Sequence, residues 1–178
     1  MRLFVAVDVP PISVEDVRLG GPESPAHLTL LFLGEIDAAR APAIGERFRA
    51  AVRRRGPFEL ELRGVGAFPE LSRPRVVWIG IGEGSGALAE LHHDLLDACR
   101  ELALSVDSRP FVGHLTVRRL RGAREVEQLR GWMERYRYES FGRSTVTELL
   151  LKESRLGHGP AVHLILERLP LSGAPIGD

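Results

Sequence analysis

Residues 27–33 (HLTLLFL) and residues 114–120 (HLTVRRL) begin with the same tripeptide, His-Leu-Thr. Each copy opens a run of residues that is typical of a β-strand. Residues i and i+2 of a strand point to one face, so each copy places an imidazole beside a threonine hydroxyl. The repeat favours an internal duplication, in which two strand–helix–strand lobes meet around a pseudo-twofold axis and bring both motifs to one cleft.

Chance is a weak explanation for the repeat. The chain has six histidines and four threonines. With that composition, two His-x-Thr matches arise in about 1% of shuffled sequences. A single His-x-Thr is usually an ordinary strand pair, but two copies in the same strand context point to function.

The remaining pattern mixes strands and helices without regular β-α-β alternation, which predicts an α+β fold with largely antiparallel sheets. Helices are expected from a cap at Asp37 to Gly56, over about 87–102 and over about 125–136. Besides the two motif strands, strands are expected at residues 3–9, 58–62, 76–81, 105–107, 145–152 and 161–168. Residues 1–170 are expected to form a single two-lobed domain, with 171–178 as a loose tail.

Composition limits the possible partners. Acidic and basic residues number 24 each, so a strongly basic nucleic-acid coat protein is disfavoured and any RNA contact should be local. Lys152 is the only lysine, which fits either genomic bias or a use of arginine for phosphate recognition. Cys99 is the only cysteine, which excludes an internal disulfide and a cysteine-based metal site. No apolar run approaches about 20 residues, so we expect a cytoplasmic protein that does not enter membranes. We also expect a monomer.

Paired histidines suit a reaction that needs one base and one acid on opposite sides of a tetrahedral centre. Histidine titrates near neutrality, so one ring can be neutral while the other is charged. Threonine hydroxyls donate hydrogen bonds to anionic oxygens without adding a competing charge. Phosphodiester hydrolysis without metal or cofactor meets these requirements, with His27 and His114 as the catalytic pair and Thr29 and Thr116 as phosphate contacts.

The other histidines and the lone cysteine favour structural interpretations. Adjacent His92 and His93 cannot share a helix face, and both are expected at the surface or at a cap. His158 lies in a Gly/Pro turn and His163 lies among apolar strand residues. Cys99 is interpreted as a packing residue rather than a nucleophile.

The paired motifs resemble those of the 2H phosphoesterase superfamily, and flanking segments are similar to its RNA 2′,3′-cyclic phosphodiesterase branch, historically called 2′-5′ RNA ligase. Those segments are MRLFVAVDVP, HLTLLFLGE, GVGAFP with RPRVVWIGI, RPFVGHLTVRRL and SRLGHGPAVHLILERLPL. The resemblance implies a bilobal fold with outer helices around a central cleft. It also implies that His27 protonates the 3′ leaving oxygen and His114 activates water, although near-symmetry allows the reverse.

The resemblance further implies that Phe32 stacks a base and Arg119 contacts the phosphate. Each lies five residues after a motif histidine, an offset that points to the opposite face of a regular strand. Strict alternation therefore favours a core role for Phe32 and prefers Arg118 to Arg119. A bulge or twist in each strand would turn Phe32 and Arg119 into the cleft instead.

The predicted activity is hydrolysis of RNA 2′,3′-cyclic phosphate ends to 2′-phosphates, with weak ATP-independent 2′-5′ ligation as its reverse. The sequence leaves two alternatives open. One is a 2H enzyme acting on another cyclic or 2′-5′ nucleotide. The other is a non-catalytic module that binds RNA ends, although binding alone needs no matched acid and base.

Overall fold

A computed structural model describes residues 1–15, 17–19, 25–107, 110–156 and 161–174. Ten strands lie in this part of the chain: β1 (Arg2–Val9), β2 (Ile12–Val14), β3 (Val17–Leu19), β4 (Ala26–Glu35), β5 (Phe58–Phe68), β6 (Val76–Ile81), β7 (Leu115–Arg119), β8 (Ser140–Val146), β9 (Glu148–Arg155) and β10 (Val162–Pro170). The described α-helices are α1 (Ala41–Val52), α2 (Ser85–Glu101) and α3 (Ala123–Arg135). None of the helices in the described ranges is long and apolar enough to cross a membrane.

Two four-stranded antiparallel sheets form the frame. The first has the order β10-β9-β1-β4 and the second has the order β7-β6-β5-β8. Strands β2 and β3 form a separate small hairpin. Each His-x-Thr strand, β4 or β7, therefore lies at one edge of its own sheet, and these two strands contact each other. The predicted α+β, two-lobed architecture is confirmed.

Strand β1 forms the centre of the first sheet because nearly every side chain in it is apolar and buried. A strand buried on both faces reads as a continuous hydrophobic run, which LFVAV satisfies. Besides the exposed Arg2 at its start, the polar residue of the strand is Asp8, which lies opposite His27 in the β1–β4 ladder. The core strand thus delivers one carboxylate to the neighbourhood of the first motif.

Helices α1 and α2 pack against each other through apolar stripes that include Phe48, Leu91 and Leu95, all fully buried. Charged pairs fix the helices at both ends of the contact. Arg47 donates two hydrogen bonds of 2.6 Å to Glu101. At the other end Arg55 binds Asp94 and Glu90. Helix α2 also contacts β4, so this helix pair forms a rigid support behind the first motif strand.

Two expectations about the later strands were wrong. Residues 145–152 do not form one strand, because the chain leaves the second sheet after Val146 and enters the first sheet at Glu148. Residues 105–107 lie outside any strand. An apolar pattern alone cannot show such a break, since both strands on either side of Thr147 are extended and partly buried.

The chain beyond Pro170 stays packed for at least three residues. Leu171 is buried and its amide donates to the Thr147 carbonyl. The Gly173 amide donates to the Arg55 carbonyl at 2.9 Å. Residues 175–178 of the expected loose tail lie outside the described residues.

Candidate active site

The two motif strands share a local irregularity that decides which side chains accompany the histidines. In β4, Thr29 pairs with Ala6 and Leu31 pairs with Val5, so Leu30 is an extra, unpaired residue. A bulge of this kind shifts the alternation of the strand by one residue. Phe32, which pairs with Phe4, therefore lies on the same face as His27 and Thr29.

Strand β7 repeats this arrangement at the equivalent position. Thr116 pairs with Trp78 and Arg118 pairs with Val77, so Val117 is the extra residue. Arg119 consequently lies on the same face as Thr116, and Arg118 faces the other way. The bulge follows the threonine directly in both halves. Strict alternation across the bulge therefore predicts the wrong strand face for Phe32 and Arg119.

His27 lies in a cluster of rings. Its ring centroid is 4.7 Å from that of His163 in an edge-to-face contact and 5.4 Å from that of Phe4. Phe4 in turn contacts the rings of Phe32 and His163. Phe32 is 55% exposed, so it forms the open rim of this cluster rather than part of the core.

A buried ion pair lies beside the same cluster. Lys152 is only 3% exposed and pairs with Asp8, the cross-strand neighbour of His27. Burying a charged ammonium is costly unless it is paired, which explains why Asp8 interrupts an otherwise apolar strand. The pair brings one positive and one negative charge to the back of the His27 site.

The surroundings of His27 favour its neutral form. Burial lowers the pKa of the His27 imidazole below its usual value, and His163 and then Lys152 lower it further. A hydrogen bond involving the Pro25 carbonyl and the charge of Asp8 act in the opposite direction, but more weakly. Burial, followed by the charge of Lys152, also lowers the pKa of His163.

His114 lies in a second aromatic corner. Its ring is 5.0 Å from Phe68 in an edge-to-face contact and 6.2 Å from Trp78. Its Nδ1 atom is 2.7 Å from the Val112 carbonyl oxygen, which can only accept, so Nδ1–H is the donor. A neutral ring held in this way presents Nε2 as the basic nitrogen.

Trp78 has its position because the strands beneath it carry glycines. A Cβ on Gly66, its partner across the β5–β6 ladder, would lie 2.1 Å from the indole Cη2 atom. A Cβ on Gly80 would lie 3.3 Å from Cζ3. The indole therefore occupies the space that side chains on Gly66 and Gly80 would fill. In this position it lies beside the ring of His114.

Sequence reasoning missed several side chains around the motifs. His92 was expected at the surface, but it is only 9% exposed and contacts β4, so that expectation was wrong. His163 and Lys152 were not assigned to the site, because nothing in a linear pattern shows that β9 and β10 extend the sheet containing His27. His93 is exposed and Cys99 is buried, as predicted, and burial raises the pKa of the Cys99 thiol to about 11. His158 lies outside the described residues.

Within the ranges that the structure describes, no group of three or more His, Cys, Asp or Glu side chains is placed to hold a metal ion. Each of the two sheet edges presents an imidazole and a hydroxyl. The β4 edge also has the exposed ring of Phe32, and the β7 edge has Arg119 on the same face as its threonine. This set offers acid–base chemistry, hydrogen bonds to an anion and a surface for stacking.

Comparison of the sequence with known families shows the class of protein to which this arrangement of paired His-x-Thr motifs belongs. The sequence profile of the 2′-5′ RNA ligase superfamily matches residues 14–156. The chain belongs to this superfamily.

Among curated relatives, a protein of Archaeoglobus fulgidus named RNA 2′,3′-cyclic phosphodiesterase is 38% identical, over 88% of this chain and 92% of its own length. A protein of the same name from Aeropyrum pernix is 34% identical, over 89% and 86%. The crystal structure of TT0787 from Thermus thermophilus superposes with a TM-score of 0.75 at 27% identity, covering 98% of this chain and 100% of that one. Escherichia coli LigT in complex with NADP⁺ superposes with a TM-score of 0.66 at 26% identity, covering 96% of this chain and 97% of its own.

Proposed function

We propose that the protein hydrolyses 2′,3′-cyclic phosphate ends of RNA to 2′-phosphates without a metal ion. The observation that carries the proposal is the repeated edge strand: in both halves a histidine, within β4 or directly before β7, is followed by a threonine and then a bulge. The names of the relatives from Archaeoglobus fulgidus and Aeropyrum pernix support the same activity.

In this mechanism His114 takes a proton from water through Nε2 as the water oxygen attacks phosphorus. The bond from phosphorus to the 3′ oxygen breaks, and His27 gives its proton to that oxygen. Thr29 and Thr116 donate hydrogen bonds to the two non-bridging oxygens. The product keeps its phosphate on the 2′ oxygen, and one further proton exchange with solvent restores both rings.

The lowered pKa of His27 adds a condition to its role as the acid. In the free protein the ring is mostly neutral at pH 7, so it must gain a proton when substrate binds. An anionic phosphate within about 4–6 Å favours the charged imidazole, which supplies the required shift. Substrate binding and proton uptake at His27 are therefore coupled.

The first test is hydrolysis of the four nucleoside 2′,3′-cyclic phosphates with and without EDTA, with the product isomers separated by chromatography. We expect activity that survives EDTA and yields 2′-phosphates. His27→Ala and His114→Ala should each lose about 10²-fold or more, and the double variant far less than the product of both losses. Complete loss with EDTA and rescue by a divalent ion would contradict the mechanism, and binding without turnover would favour the RNA-end binding module.

The acid and base can be assigned with a p-nitrophenyl phosphodiester, whose leaving group needs no proton. His27→Ala should then recover much of its lost rate relative to wild type, whereas His114→Ala should not. Recovery in His114→Ala alone would reverse the two roles. A panel containing 2′-5′-linked dinucleotides separates the proposed substrate from other substrates of the superfamily.

A cluster of arginines supports RNA rather than a free cyclic nucleotide as the substrate. The cluster lies around the start of β6, the end of β7 and the start of α3. The Leu120 amide, just after β7, donates a 2.8 Å hydrogen bond to the carbonyl of Arg75, just before β6. All members are exposed, and none forms an ion pair with a described carboxylate: Arg75, Arg118, Arg119, Arg121 and Arg124. Unpaired guanidinium groups beside a phosphate site suit the next phosphates of a strand.

We predict that a short RNA with a cyclic phosphate end has a lower KM than the cyclic mononucleotide. Added salt should weaken the binding of the RNA but not that of the mononucleotide. Arg121→Gln with Arg124→Gln should remove most of this advantage and flatten the salt dependence, since each lost phosphate contact contributes a slope of about 0.7 for single strands. Arg130→Gln is the matched control, because Arg130 lies on α3 like Arg124 but pairs with Glu127 at 3.1 Å. If Arg130→Gln changed the KM for RNA and its salt dependence as much as the double variant does, the assignment would be contradicted.

A further inference from the structure

His92 makes two directed contacts that no catalytic role explains. It lies on α2, on the side that faces β4, and its Nδ1 atom is 2.9 Å from the carbonyl oxygen of Leu30. The carbonyl can only accept, so the His92 Nδ1–H donates. Leu30 is the bulge residue of the first motif strand, which the β1–β4 ladder leaves unpaired.

This hydrogen bond meets a specific need of the bulge. A backbone carbonyl that is buried without a partner is costly, and a bulge residue gives up its place in the ladder. His92 supplies the missing donor from a helix that is itself fixed by the pairing of Arg55 with Asp94. The bulge in turn holds Phe32 on the face of His27, so the donor acts on the predicted base-stacking ring through the backbone.

The second contact leads to the other motif. The His92 ring stacks on Phe111 with centroids 4.9 Å apart and an interplanar angle of 19°. Phe111 packs close to Gly113, where an added Cβ would lie 3.5 Å from the phenyl ring and 3.1 Å from Ile81. Gly113 directly precedes His114, so the stacked rings of His92 and Phe111 restrict the backbone immediately before the second motif.

We propose that His92 is a positioning residue that couples the two motif strands, fixing the Leu30 bulge with its N–H and the approach to His114 with its ring face. The inference rests on the proposed hydrolase function for its kinetic consequences. It does not place His92 in contact with substrate. Adjacent His93 provides a contrast, because it is exposed and pairs with Asp97 at 3.5 Å.

Two substitutions separate the two contacts. His92→Phe keeps a ring for Phe111 but removes the donor to Leu30. His92→Asn keeps an N–H near the position of Nδ1 but removes the ring. His93→Asn and His93→Phe are the matched controls on the solvent face, and both should behave as wild type.

The expected kinetic result is a split between KM and kcat. In His92→Phe the bulge relaxes and Phe32 loses its orientation, so KM for cyclic nucleotides should rise by about tenfold, within the range that loss of base stacking can produce. Adding Phe32→Ala to His92→Phe should raise KM no further than Phe32→Ala does alone. His92→Asn should restore KM but lower kcat, because the approach to His114 loses its stacked partner.

Amide hydrogen exchange gives a readout that does not depend on activity. Exchange at Leu31 and Phe32 should be faster in His92→Phe and close to wild type in His92→Asn, at a temperature where both variants are folded. Unchanged exchange in His92→Phe would overturn the positioning role whatever the kinetics show. A wild-type protein inactive on every cyclic phosphate would overturn the proposed function, and the exchange result would still decide the role of His92.

Discussion

Replacing Gly66 with alanine tests whether the Trp78 indole fixes the geometry around His114. The new Cβ would lie 2.1 Å from Cη2 and 2.2 Å from Cζ2 of the indole, whereas ordinary contact begins at 3.4 Å. The ring must therefore retreat by more than an ångström, and the neighbouring backbone of β5 and β6 cannot yield as easily as a side chain. Its nearest ring neighbours are Phe68 at 5.3 Å and His114 at 6.2 Å.

The cost divides between stability and catalysis. Overpacking of this kind destabilises a fold by about 1–3 kcal/mol, which a domain with about 5–15 kcal/mol of stability can tolerate. A displacement near 1 Å in a catalytic arrangement can cost about 10²-fold in rate. We therefore expect a folded Gly66→Ala protein with kcat/KM for cyclic nucleotides reduced by about 10²-fold.

The assay is steady-state hydrolysis together with thermal unfolding. Gly131→Ala is the control, because a Cβ there meets nothing within 4 Å and alanine favours the surrounding helix α3 by about 1 kcal/mol. In a Trp78→Ala background, Gly66→Ala should cause no additional loss. Full activity of Gly66→Ala, or an equal further loss without the indole, would refute the argument.

Three further predictions concern the facing of side chains on the motif strands and the charges beside His27. Phe32→Ala should raise KM for all four cyclic nucleotides by about 5- to 150-fold with less effect on kcat, since stacking contributes about 1–3 kcal/mol to binding whatever the base; a base-specific effect would argue against stacking. Arg119→Ala should lower kcat/KM and Arg118→Ala should cost little, so the reverse result in steady-state kinetics would show that the Val117 bulge does not set the facing. Lys152→Met removes a positive charge that opposes protonation of the neighbouring imidazole and should raise the pKa of His27, whereas Asp8→Asn should lower it. NMR titration of the His27 ring measures both shifts, and shifts in the same direction would contradict the assigned charge balance.

The sequence predicted the architecture well because hydrophobic period and turn residues are local properties. The core strand at residues 3–9, the strand at 76–81 and the three helices are all present within a few residues of their expected bounds. The exceptions are the short strand expected at residues 105–107, which is absent, and the single strand expected at residues 145–152. The change of sheet at Thr147 depends on which strands are neighbours in space, and no local pattern contains that information.

The candidate site was predictable only as far as repeated residue types reveal it. His27, Thr29, His114 and Thr116 stand out because two copies of one motif are improbable by chance. His92 does not stand out, because its partner is a backbone carbonyl created by a bulge in another element. Bulges depend on ladder pairing, so the register was needed to place Phe32 and Arg119 on the motif faces.

The interleaving of the first sheet has a consequence for synthesis on the ribosome. All four strands of the second sheet are available once Val146 has emerged, but β1 then has only β4 beside it. The face bearing His27 is completed by β9 and β10, which are translated later. A nascent chain stalled at Thr147 would therefore carry a complete second sheet and a first sheet in which one edge of β1 is unpaired. Two fragments divided at this exposed residue should complement each other when mixed.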